Sequence, residues 1–110
     1  MSVTAACRIA ELNDEFRRAG PAPGWYVTAG VEAKGPAFVI AAVSAVRSFE
    51  TFSHHNDTYG EHDFGSFTVC GERLFWKIDY YDPTLTAGSA APEDSDTTRR
   101  VLTIMLASEY

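Results

Sequence analysis

The sequence predicts an α+β domain in which two helices pack on a small antiparallel sheet, the sheet containing a central hairpin and a C-terminal strand. Three observations carry that prediction: a three-and-four apolar spacing near the start, a second such stripe after Pro36, and period-two alternation on both sides of Gly71. A chain of 110 residues has the size of one domain and buries one core, so residues 1–110 are read as a single unit. With 45% hydrophobic and 22% charged residues, the composition is that of a folded domain and not of a disordered or fibrous chain.

Residues 4–19 form the first helix, because Ile9, Leu12 and Phe16 recur at helical spacing while Glu11, Asp14, Glu15, Arg17 and Arg18 are assigned to the other faces. Thr4 is the expected N-cap, and Gly20 followed by Pro21 ends the helix. "GWYVTAGV", 24–31, is aromatic and β-branched between glycines and is read as a short strand. Pro36 opens the second helix, with Phe38, Ala42, Val46 and Phe49 on one stripe flanked by Val39 and Val43.

The hairpin is the clearest local signal. A two-residue type II′ turn at Gly71 and Glu72 would pair Cys70 with Arg73, Val69 with Leu74, Phe67 with Trp76 and Gly65 with Ile78, giving one apolar face. The other face receives Ser66, Thr68, Phe75, Lys77 and Asp79. Its aromatic remainder, Phe75 with Phe64, needs a covering helix or is a contact surface. "DPTLTAGSAAPEDSDTT", 82–98, is an exposed loop, and the β-branched residues of "VLTIML" make the last apolar run a strand.

The function classes are narrowed mostly by exclusion. The N-terminus lacks a basic start followed by an apolar stretch, and no run approaches the ~20 apolar residues of a membrane span, so a cytoplasmic protein that makes no membrane contact is expected. Cys7 and Cys70 lie in unlike contexts and are expected to be free thiols. Net charge is -6, and residues 50–96 hold ten acids against Arg73 and Lys77. Such a field repels phosphate backbones, which argues against direct nucleic-acid binding and suits a basic protein partner.

"NDTYGEHDFG", 56–65, is the densest chemical segment. Asp57, Glu61, His62 and Asp63 are competent metal ligands, but strand alternation would send His62 away from Glu61 and Asp63, and the calcium-loop pattern is absent. The preferred reading is an Asx-turn loop, with Gly60 supplying an unusual backbone angle and Gly65 allowing close packing. No cofactor is expected. Cys70 has no dedicated base, although Arg73 opposite it offers one stabilising cation. "NDT" is formally a glycosylation acceptor without meaning in the cytoplasm, and His54 with His55 is read as a solvated pair. Phosphate-binding glycine loops, CxxC, HExxH and the G-x-S-x-G elbow are all missing.

With "NDTYGEHDFG", "FWKIDYYD" and "VLTIMLASEY" in place, the chain from "RIAELNDEFRR" onward resembles a small bacterial family of unknown function, mostly proteobacterial and often carried on plasmids and other mobile elements. That resemblance brings no activity or site residues. Its setting implies a role in conflict between mobile elements and hosts, where short acidic proteins inhibit CRISPR or restriction machinery by placing carboxylates where phosphates would bind.

The leading expectation is therefore a small acidic, non-enzymatic binding protein that inhibits a host nucleic-acid-binding defence complex. Its contacts to a basic host protein, such as a CRISPR or restriction subunit, are assigned to Asp57, Glu61, Asp63, Asp79, Asp82, Glu93, Asp94 and Asp96. The alternative is a small metal-dependent enzyme or ligand-binding module built on the segment Asp57 to Asp63.

Overall fold

The computed structural model describes residues 2–110, without the side chains of residues 2–4. Its elements are α1 (Ser2–Ala19), β1 (Trp25–Val27), α2 (Ala29–Glu32), α3 (Pro36–Arg47), β2 (Phe64–Val69), β3 (Glu72–Tyr81), β4 (Arg99–Leu106) and a closing 3-10 turn, Ala107–Glu109. Helix α1 starts before Thr4, so Thr4 lies inside it, and its capping role falls on a side chain outside the described residues. Gly20 has φ 88° and its N–H bonds the Arg17 carbonyl, as a glycine ending a helix should.

The α+β class is what the chain adopts, with a mixed sheet rather than a wholly antiparallel one. Strand order is β1-β4-β3-β2, and β1 joins β4 in parallel while the other pairs are antiparallel. Connectivity permits the parallel pairing, because α2, α3 and the hairpin lie between the two strands. The segment 24–31 is only partly strand. After Val27 the backbone turns into α2, with the Thr28 hydroxyl accepting the Val31 N–H at 3.4 Å as its N-cap.

In the hairpin the apolar face is as expected and the register is not. Thr68 pairs with Arg73, Phe67 with Leu74 and Gly65 with Trp76, so the turn residues are Cys70 and Gly71 at φ 51° and 80°. Two positive φ values are the signature of a type I′ turn, whose twist matches that of the strands and which favours glycine at its second position. The shift is two residues in pairing, and the period-two rule makes that change invisible to a face-by-face reading.

One sheet face carries the core. Leu74, Trp76, Ile78, Leu102 and Ile104 meet Val31, Ala42, Val46 and Phe49 from the helical side, all 9% exposed or less. Gly65 lies beneath the Trp76 ring, where a Cβ would sit 2.3 Å from the indole nitrogen. On the opposite face Phe64 and Phe75 pack with Tyr110 at centroid distances of 5.2 to 5.8 Å, so the C-terminal residue, not a helix, covers that aromatic pair. Among the described residues no helix is long and apolar enough to cross a membrane.

Candidate partner-binding end

Helix α1 turns a polar stripe inward. Ile9, Leu12, Asn13, Phe16 and Arg17 follow the i, i+3, i+4, i+7, i+8 spacing of a buried helix face, and both Asn13 and Arg17 are fully buried. Arg17 does not face solvent as the sequence reading assigned. Its Nη1 donates to the Val46 and Arg47 carbonyls at 2.9 and 3.1 Å, closing the C-terminus of α3, and its Nη2 donates to Asp14 at 3.0 Å. The guanidinium also sits 5.4 Å from the Trp76 ring and 5.6 Å from Phe52.

The segment 56–63 folds around this stripe as a loop, not as a strand. Gly60 and His62 both take positive φ, and Asp57 accepts the His62 backbone N–H at 3.1 Å. The His62 ring stacks on Phe52 at 3.9 Å with planes 2° apart. Its Nδ1 lies 3.0 and 3.1 Å from the Asp14 oxygens, which only accept, so Nδ1 carries a proton. Nε2 faces Asp57 at 3.6 Å. Alternation predicts that His62 points away from Glu61 and Asp63, and the carboxylates that flank its ring are instead Asp14 and Asp57.

A second network joins the same loop to the sheet. Asn13 Nδ2 donates to the Glu61 carbonyl and to the Tyr80 hydroxyl, each at 2.9 Å, and Tyr80 donates to the Glu61 carboxylate at 2.8 Å. Burial, ahead of the neighbouring carboxylates, pushes the Tyr80 phenol up. Asp63 is also raised above the usual carboxylate range, by burial first and then by Glu61. Neither network forms a metal cage: no cluster of three or more His, Cys, Asp or Glu suited to a metal occurs among the described residues.

The eight acids assigned to partner contact occupy one end of the sheet, where β2 begins, β3 ends and β4 begins, but they are not equally available. Asp57 is withdrawn, its side chain 7% exposed. Glu61 is held by Tyr80, and Asp79 pairs with Lys77 at 2.8 Å. Asp82 accepts from the N–H and hydroxyl groups of Thr84 and Thr86, which holds its carboxyl low. Glu93, Asp94 and Asp96 stand exposed on the loop, and Asp94 accepts the Asp96 N–H at 2.9 Å. Among the described residues none of Asp63, Asp82, Glu93, Asp94 or Asp96 forms an ion pair.

Cys7 and Cys70 are free and exposed. Arg73 lies opposite Thr68 and donates to Ser66, so it is not the cross-strand partner of Cys70.

These features define a small α+β scaffold with an acidic end and internally bonded polar groups. The family model described as "Protein of unknown function (DUF3768)" matches residues 27–109, and the chain belongs to that family. Helix α1 lies outside the matched span. No curated protein and no solved structure matches the chain.

Proposed function

We propose that this is a non-enzymatic binding protein whose acidic end occupies a basic surface of a host protein, the partner class being a nucleic-acid-binding CRISPR or restriction complex. The observation that carries the reading is topological. Asp57, Glu61 and Asp63 precede β2, Asp79 lies near the end of β3, and Asp82, Glu93, Asp94 and Asp96 lie on the connection from β3 to β4, so the chain brings acids to one end of three neighbouring strands, and Glu93, Asp94 and Asp96 stand exposed there. Exposed carboxylates on irregular backbone suit a surface that must meet arginines and lysines spaced for phosphates.

Charged groups at the same end are not all negative. Lys77 is neutralised by Asp79, Arg100 turns inward, and Arg99 remains exposed, so acids outnumber bases there by a wide margin. In the 56–63 loop, by contrast, both ring nitrogens of His62 face carboxylates and Asp57 is held by the backbone, an arrangement that serves loop geometry better than catalysis.

The test is a plasmid-transformation assay in bacteria with an active CRISPR or restriction system. Expression of the protein should restore transformation toward the level of a system-deficient strain, and the variant Glu93→Lys, Asp94→Lys, Asp96→Lys should not, with little change in its melting temperature. No restoration in either system would overturn the host-defence assignment, and full activity of the variant would overturn the acidic contact.

A further inference from the structure

The start of β4 places two arginines on a cavity of about 390 Å³ between α1, Pro23 and the 95–99 segment. Leu12, Phe16 and Pro23 give it an apolar floor, while Ser95, Arg99 and Arg100 supply polar walls. We propose that this cavity binds a small organic monocarboxylate, its apolar body on Leu12 and Phe16 and its carboxylate on the Arg100 guanidinium.

The geometry at Arg100 is the reason. Nε donates to Asn13 Oδ1 and Nη2 to the Pro92 carbonyl, both at 2.6 Å, and the guanidinium carbon lies 5.3 Å from the Tyr80 ring centroid. Every group that holds it is formally neutral. Among the described residues Arg100 has no carboxylate within ion-pair distance, and Nη1 makes no hydrogen bond. Half-burial pushes its pKa below the ordinary arginine value, as expected for a cation desolvated without a full counter-charge. A fixed, half-buried fork with a free nitrogen is suited to a planar carboxylate, which it can meet edge-on.

Size and charge narrow the ligand further. The volume falls in the range of small-molecule sites. Arg99 and Arg100 against Glu15 leave the lining with one net positive charge, which matches a monoanion and disfavours a dianion such as a phosphate monoester on a chain of net charge -6. Ser95 has an exposed side chain that can contribute a hydroxyl at the mouth without moving the backbone. The site borders the acidic contact surface at Ser95, between Asp94 and Asp96, but uses the cations of that end and not its acids.

Amide-resolved NMR titration of the full chain with benzoate, benzamide and inorganic phosphate tests the assignment. Benzoate should give saturable shifts at Leu12, Phe16, Thr98 and Arg100, with benzamide at least about tenfold weaker because it forfeits the charge-assisted bonds. Phosphate should give no saturable shift at these amides. Arg100→Gln also removes the bond that orients Asn13, so the blocking variant is Ser95→Trp, which fills the cavity from an exposed position and should abolish the benzoate shifts. Equal binding of benzoate and benzamide, phosphate matching benzoate, or benzoate shifts unchanged in Ser95→Trp would each overturn the proposal.

Discussion

Arg17 shows how a charge enters this core: three hydrogen bonds and two aromatic rings replace most of its hydration, with partners on α1, at the end of α3, just after it and on β3. Arg17→Met removes the closure of α3 and one partner of Asp14, and should lower unfolding free energy by about 3 kcal/mol in urea titrations. The burial of Asn13 and Arg17 was encoded in their spacing with Ile9, Leu12 and Phe16, but residue type argues for solvent and hid it. Asp63 is a residue of opposite character. Because its folded pKa is raised, the stability it contributes is present below about pH 3.8 and is lost as pH climbs through the folded value. Asp63→Asn should therefore raise the melting temperature at pH 7, with the advantage vanishing near pH 3.

Single elements divide into those that apolar period determines and those that turn chemistry determines. The faces of β2 and β3 follow from alternation alone, and so does the burial of Val69, Leu74, Trp76 and Ile78. Register does not, since moving the pairing by two residues leaves every side chain on its own face. The deciding fact is local: the type I′ turn that takes Gly71 at its second position also needs Cys70 in the left-handed region, an expensive place for an L residue. Cys70→Asn, better suited to that conformation, should stabilise the hairpin by up to about 1 kcal/mol, read as a higher urea midpoint with unchanged slope. Helix α2 was illegible for another reason, as four residues hold no periodicity and Trp25, Tyr26 and Val27 ahead of them read as a longer strand. The strand of β4, in contrast, was plain in its β-branched residues.

Across the whole molecule, Glu109 fastens the last turn to the first third of the chain. Its carboxylate accepts the Thr28 hydroxyl at 2.6 Å, the Gly30 N–H at 3.1 Å and the Leu106 N–H at 2.8 Å, and those bonds hold its pKa below the usual range. A lowered folded pKa contributes stability above about pH 4.5 that is lost as pH falls through the folded value. Glu109→Gln should flatten the acid limb of the stability curve and weaken docking of α2 at pH 7, visible as faster amide exchange at Gly30 and Val31. Nothing in the local pattern of "ASEY" announces this clasp, because its partners stand some eighty positions away. The acidic end was legible as a charge total, but the withdrawal of Glu61 depends on a tertiary contact with Tyr80, which no local pattern announces.

The position of β4 between β1 and β3 has a kinetic consequence. A strand flanked by one neighbour from the opening quarter and another from the hairpin cannot acquire both until a very large loop has closed. Refolding is thereby governed by distant encounters and not by helix nucleation, and it should run at the millisecond-to-second pace of high-contact-order domains even though a third of the chain coils locally far sooner.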